Sequence, residues 1–145
     1  MTHTSSRRGV RLAALSVLLF AGCSGDGPNQ YPVAGTIRIG NQPVRGGFVT
    51  IEPDDGGASG GLQGIAPIEN GRFDTELGGK RAVSGPVVLR IDGWGEPNAR
   101  FANGVPLCNR YEIRLELQPT ANELDLVIPE SARIHEPKGG WGNLP

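Results

Sequence analysis

The segment Tyr111–Leu117, which reads Tyr-Glu-Ile-Arg-Leu-Glu-Leu, decides the fold class of this chain. Its apolar residues alternate strictly with charged residues, so every second side chain faces the same way. A two-residue period is typical of a β-strand with one buried and one exposed face. After a connection through Pro119, residues 123–128 repeat the alternation with three further apolar residues. These segments predict two half-buried strands in antiparallel succession.

Shorter segments of the same kind precede these two strands along the chain. Asn70-Gly71 predicts a hairpin turn, because both residues tolerate positive φ. Pro67 predicts an edge position or a bulge, because proline has no N–H for a neighbouring strand. We therefore predict an all-β fold, a single antiparallel β-sandwich of about seven strands in residues 31–128. The five earlier strands are expected over residues 33–39, 48–52, 62–68, 72–77 and 87–91.

Glycine and proline support the same fold class. The chain has 23 glycines and 12 prolines among 145 residues, which is close to the content of low-complexity chains. Here these residues separate apolar runs, so they indicate many short strands joined by turns. Residues 129–145 show no alternation and are predicted to form an irregular C-terminal tail.

The N-terminal segment has the features of a secretory signal. Arg7, Arg8 and Arg11 precede an apolar stretch over residues 12–22, which is too short to span a bilayer as a helix. Small residues then lead into Cys23, and this ending resembles the lipobox of bacterial lipoproteins. Phe20 stands where that motif usually has leucine. Two alternatives remain, a plain cysteine in a secreted chain and an uncut membrane anchor.

The lipobox resemblance implies an address and an anchor. Residues 1–22 would be a cleaved lipoprotein signal peptide, and Cys23 would carry the lipid that holds the protein to a membrane. Residues 23–30, which are polar and rich in glycine, would form a flexible tether. We therefore expect an extracytoplasmic protein anchored at the outer membrane or at the periplasmic face of the envelope. Ser24 is compatible with the outer membrane, because aspartate at that position favours inner-membrane retention in proteobacterial lipoproteins.

Five segments between Tyr31 and about Ile91 match a known domain pattern, namely Val33–Ile37, Gly40–Gly47, Phe48–Pro53, Glu69–Phe73 and Val83–Leu89. Through them the chain resembles the carboxypeptidase regulatory-like, transthyretin-like (prealbumin-like) β-sandwich domains. Small lipoproteins of planctomycete bacteria carry such domains just after a lipobox. The resemblance implies a fold and an extracytoplasmic location, and it implies no activity. Residues 93–110 have no counterpart and look like an inserted loop, and Val87 replaces the usual tyrosine.

Charge argues against nucleic acid as a partner. Three of the 14 basic residues lie in residues 1–22 and none of the 15 acidic residues does, so the remainder has a formal charge of about −4. Nucleic-acid binding requires a basic surface instead. The expected partners are therefore membrane lipid through Cys23 and an envelope protein or glycan.

Catalytic and metal-binding patterns are weak in this sequence. His135 is the only histidine after residue 22, and the serines lack a Gly-x-Ser-x-Gly context. Glu52, Asp54, Asp55 and Asp74 offer oxygens for calcium, but a solvated acidic turn explains them more simply. We predict no catalytic residue, no metal and no cofactor.

Cys108 and two tryptophans are the remaining residues of interest. Cys108 is expected to be a buried, inert thiol, with a thiol enzyme or redox sensor as the alternative. Trp94 and Trp141 each lie between two glycines, a setting that often exposes the indole for ligand contact. The alternative is that each ring covers an edge of the sandwich.

The primary hypothesis is a non-enzymatic, lipid-anchored binding or structural module, and the second is a carbohydrate-binding accessory protein that uses these tryptophans.

Overall fold

The structure is a computed structural model that describes residues 28–135. Strands dominate this part of the chain, and its one helical element is a short 3-10 turn at Glu130–Ala132. Within residues 28–135 no helix is long and apolar enough to cross a membrane. The strands are β1 Gln30–Tyr31, β2 Val33–Ile39, β3 Gln42–Pro43, β4 Gly46–Pro53, β5 Gly64–Glu69, β6 Arg72–Asp74, β7 Ala82–Val83, β8 Gly85–Trp94, β9 Pro106–Leu117 and β10 Asn122–Ile128.

Most of the strands form one sheet in the order β10-β2-β6-β5-β4-β8-β9, and β3 pairs with β2 beside this path. The short strands β1 and β7 form a separate antiparallel pair. The all-β prediction is therefore confirmed. The order differs from the chain sequence because β2 pairs with β6 rather than with β4.

One pairing departs from the expected antiparallel arrangement. Strand β10 runs parallel to β2 over seven residues, from Asn122 opposite Val33 to Ile128 opposite Ile39. The expectation of a purely antiparallel sheet is wrong at this place. The physical reason lies in the connection from β9, where the Asn122 side chain accepts from Gln118 N–H at 2.9 Å and donates to the Thr120 carbonyl at 2.8 Å. This tight turn sends β10 away from β9 to the other end of the sheet.

A single hydrophobic core lies on one face of the sheet. Leu117 of β9 and Leu126 of β10 belong to the same buried cluster, although these strands stand at opposite ends of the sheet order. The sheet must therefore curl until its two end strands reach a common core. The central strands fill this core with side chains at alternate positions, which are Ile37, Ile39, Val49, Ile51, Ala66, Ile68, Phe73, Val87, Leu89 and Ile91.

Two turn signals read from the sequence are found in the structure. Asn70 and Gly71 have φ values of 51° and 78° and connect β5 to β6. Pro67 lies opposite Phe48 of β4, while β6 begins to pair with β5 only from Ile68 onward. Its missing N–H therefore falls where β5 has no β6 partner, which is a local edge.

The two ends of the described chain are held against the domain. Gln30, assigned to the tether from sequence, pairs with Val83 in the small β1-β7 sheet. After β10, the Ile134 N–H donates to the Leu107 carbonyl at 2.8 Å. Residues 30 and 134 therefore both contact the folded domain.

Candidate functional site

Trp94 is the last residue of β8 and lies on the outer face of the sheet, away from the core. Two glycines make room for its ring. A Cβ on Gly46 would lie 2.5 Å from Trp94 Nε1, and one on Gly104 would lie 2.7 Å from Trp94 Cδ1. The indole is half-buried and meets Phe48 edge to face, with ring centroids 5.9 Å apart at 72°. Trp94 therefore belongs to an aromatic pair rather than to a free loop.

Apolar side chains extend from this aromatic pair across the outer face. We call Phe48, Ile65, Pro67, Leu77 and Trp94 the outer apolar patch. Phe48 is 45 % exposed and Leu77 is 70 % exposed. Phe48 and Pro67 are direct partners on neighbouring strands, so the patch crosses the sheet from β8 through β4 to β5. Exposed apolar groups that adjoin one another in this way often mark a binding surface.

A shallow cleft of about 230 Å³ lies at the β5-β6 end of the patch. Pro67 and Leu77 supply apolar walls, while Glu69, Arg72 and Asp74 supply polar groups. Asp74 also accepts from the Glu76 N–H at 2.8 Å, which fixes the turn that presents Leu77. The cleft thus combines apolar surface with hydrogen-bonding groups of negative and positive charge.

A second cleft of about 380 Å³ lies at the other end, beside Gly95. Arg45 and Arg133 both line it. Arg45 forms an ion pair with Glu96, and Arg133 pairs with Glu130, which lowers the pKa of that carboxyl. Because both guanidinium groups are compensated, this cleft offers no unpaired arginine for an anionic ligand.

Charged residues form another part of the outer face. Arg90 of β8 pairs with Glu52 of β4 and with Glu112 of β9, at 2.9 Å for the latter. Arg114 of β9 pairs with Asp54 at 2.5 Å. The outer face therefore has a charged region near the 54–61 loop and an apolar region that contains Trp94.

The structure separates the carboxylates that were considered for calcium. Glu52 and Asp54 are engaged with arginines on the sheet. Asp55 accepts from the Gly57 and Ser59 N–H groups and from the Ser59 hydroxyl, and the hydroxyl contact contributes most to lowering its pKa. Within residues 28–135 no group of three or more acidic, histidine or cysteine side chains is arranged to hold a metal ion.

Cys108 lies in the hydrophobic core, with 4 % of its surface exposed. Its Sγ lies 3.7 Å from the Ile91 carbonyl, and burial raises the pKa of the thiol. The prediction that this cysteine is buried is confirmed. Because the thiolate is the reactive form, a buried thiol with a raised pKa is a poor nucleophile.

Sequence reasoning identified only part of this surface. Of its candidate residues, Cys23 and Trp141 lie outside the described residues, and Trp94 lies in the outer apolar patch. Phe48 and Leu77 were missed. The alternation of β4 does place Phe48 opposite to Val49, but only the folded sheet shows that its face stays uncovered.

Comparisons with protein-family models, curated proteins and solved structures find no match for this chain. Function must therefore be inferred from the residues and their arrangement. The outer apolar patch and its adjoining cleft are the arrangement that most favours binding.

Proposed function

We propose that this protein is a non-enzymatic, lipid-anchored module of the bacterial cell envelope that binds a partner on its outer face. The observation that carries binding is the outer apolar patch, where Leu77 is 70 % exposed beside the half-exposed Phe48. Isolated exposed apolar residues are ordinary on protein surfaces. Here several of them adjoin one another and border a polar cleft, as ligand sites do.

The sequence before the domain supports the anchor. Arginines, an apolar stretch and small residues lead into Cys23, the order found in lipoprotein signals. On this proposal, residues 1–22 are removed and Cys23 holds the lipid. For the fold, we propose a β-sandwich of the transthyretin-like kind. The curled sheet around one core supports this assignment.

The intact mass of the protein extracted from bacterial membranes tests the anchor. We expect the mass of residues 23–145 plus a diacylglyceryl and an acyl group. A Cys23→Ser variant should lose the lipid mass and fail to be processed at this site. An unlipidated protein that begins at another residue would refute the anchor and point to a freely secreted domain.

Carbohydrate is the second candidate for the ligand, and the Trp94–Phe48 pair is the observation that favours it. Aromatic faces stack on sugar rings, and carboxylate and guanidinium groups such as Glu69 and Arg72 hydrogen-bond hydroxyls. In a Trp141→Phe background, Trp94 is the remaining tryptophan and can be excited selectively. Titration with cell-wall glycan fragments should shift its emission, and Phe48→Ala should weaken binding. An emission spectrum unchanged by every glycan would leave a protein partner as the better hypothesis.

A further inference from the structure

Among residues 28–135, strand β9 forms one end of the sheet and has a long edge without a strand partner. Within the described residues it pairs only with β8, in regular register from Tyr111 opposite Ile91 to Leu117 opposite Gly85. On its other side, Ile134 donates to the carbonyl of Leu107, before the regular segment begins. An unpaired strand edge of this kind is a template for another strand.

The inward-facing side chains of this edge are incompletely covered. Tyr111, Ile113 and Leu115 pack against the core but remain half-exposed, whereas Leu117 at the end of the strand is buried. A further strand placed beside β9 would cover this apolar row and satisfy the free backbone groups.

The charge pattern of β9 identifies which strand fits. Its outward positions alternate in sign as Glu112, Arg114 and Glu116. Within one chain Glu112 already pairs with Arg90 and Arg114 already pairs with Asp54, so a second copy would meet these charges as members of existing ion pairs. If two copies of β9 pair antiparallel about a two-fold axis at Ile113, Glu112 of each copy faces Arg114 of the other and extends these ion pairs across the axis. Tyr111 of each copy then faces Leu115 of the other on the inner side. The strand is therefore complementary to itself in both charge and apolar packing.

The opposite edge of the sheet lacks this property. The outward residues of β10 begin with Glu123 and Asp125, which have the same charge. A two-fold axis at Leu124 would place these carboxylates against each other, and like charges on directly opposed positions destabilise a strand pair. In this register self-pairing of the β10 edge is disfavoured, whereas the β9 edge centred on Ile113 favours it.

We propose that the protein forms a symmetric dimer by antiparallel pairing of β9 with β9 of a second copy, centred on Ile113. The pairing joins the two curled sheets into one continuous sheet. The interface is small, so we expect a dissociation constant in the micromolar range, ~1–100 µM. The dimer leaves the outer apolar patch on β4 and β5 free, so it stands whether or not the proposed ligand is correct.

Charge reversal tests the proposal in sedimentation velocity of the full chain in mild detergent. Arg114→Glu sets two pairs of glutamates against each other and should weaken association at least about tenfold. The double variant Glu112→Arg with Arg114→Glu restores opposite charges and should recover the dimer. Glu123→Arg on the other edge is the control and should leave association unchanged. Thermal melts establish that each variant is folded.

Cross-linking gives an independent measurement that does not depend on charge. In a background without the native cysteines (Cys23→Ser with Cys108→Ser), Ile113→Cys meets its own copy at the axis and should form an intermolecular disulfide on mild oxidation. Leu124→Cys, at a half-buried position on β10, should not. A chain that stays monomeric at about 100 µM would overturn the proposal. A dimer whose dissociation constant is the same with and without Arg114→Glu would also overturn it.

Discussion

Trp94 keeps its position because glycine leaves space for the ring on the neighbouring strand. The Gly46 Cα lies beneath the indole, and any larger residue there would displace it. At the scale of single residues, the outer face therefore depends on glycines, which leave room for the indole, as much as on the aromatic residues. The Gly-Trp-Gly sequence drew attention to Trp94, but Gly46, the residue that seats it, lies 48 positions earlier in the chain.

We predict that Gly46→Ala destabilises the protein by about 1–3 kcal/mol, because the added methyl group overlaps the indole nitrogen. The Trp94 emission in a Trp141→Phe background should also move to longer wavelength as the ring is displaced. Gly95→Ala is the matched control. Its Cβ would stand 3.5 Å from Leu107, which is ordinary contact, so its effect should stay within about 0.5 kcal/mol. Equal stability of the two variants in urea unfolding would contradict this explanation.

Asp125 offers a prediction about pH at the same scale. The Thr36 hydroxyl donates to its carboxylate at 2.6 Å and lowers its pKa, with a smaller contribution from Arg38. A lowered pKa in the folded state means that the interaction stabilises the fold above the ordinary aspartate range. This stabilisation is lost as the pH falls through the folded-state pKa of Asp125.

We expect Thr36→Val to raise the pKa of Asp125 toward that of a free aspartate, because the principal donor is gone. NMR titration of the side-chain carboxyl measures this directly. Thr50→Val, on β4, is the control and should leave the titration of Asp125 unchanged. An identical pKa in the Thr36→Val protein would mean that the hydroxyl does not donate to this carboxylate in solution.

At the scale of elements, strict alternation predicted the long strands well. Strands β2 and β10 lie where the two-residue period placed them, because the alternation records which side chains are buried. Strand β9 contains the predicted segment 111–117 but begins at Pro106, so the expectation that all of residues 93–110 form a loop is wrong at both ends, where β8 reaches Trp94 and β9 begins. The two-residue period does not indicate which strands pair with each other in the sheet. The partner of β10 depends on the Asn122 turn, which is local, and also on a core shared by the whole sheet, which is not. The two-residue strands β1, β3 and β7 are too short to show a period.

The parallel pairing yields a prediction at this scale. A Cβ on Gly35 would overlap the Leu124 carbonyl, so β10 can approach β2 closely only with glycine there. We expect Gly35→Ala to destabilise the protein by about 3 kcal/mol or more. Hydrogen exchange of the β10 amides should rise most. Val127→Ala, at an exposed position of β10, should leave that exchange nearly unchanged. Undiminished protection of β10 in Gly35→Ala would refute this role of Gly35.

At the scale of the whole molecule, one core connects every long strand. Because β9 and β10 both contribute to it, neither end of the sheet can be released without exposing apolar side chains of the other. The sequence predicted this single all-β domain from its composition and alternation. The uncovered part of the outer face could not be foreseen, because it depends on how the sheet curls and where the 95–105 loop lies.

We predict that urea unfolds the domain in one transition. Trp94 fluorescence, in a Trp141→Phe background, reports the β8 end of the outer face, and far-UV circular dichroism reports all the strands. The two curves should superimpose, as expected for a small two-state domain. A fluorescence change that precedes the dichroism change would show that the Trp94 region melts separately from the core.

The parallel pairing of β2 with β10 also sets the order in which the domain can assemble. The Thr36–Asp125 contact joins residues 89 positions apart. Strand β2 is the first long strand to be synthesised, and one of its edges stays unpaired until β10, the last strand, is available. Contacts between residues this far apart in sequence slow folding, because closing a long loop costs entropy before any stabilising contact forms. The growing chain therefore cannot complete its sheet strand by strand. Its sheet therefore stays open until the C-terminal strand has emerged, which is compatible with the export before folding that the proposed signal peptide implies.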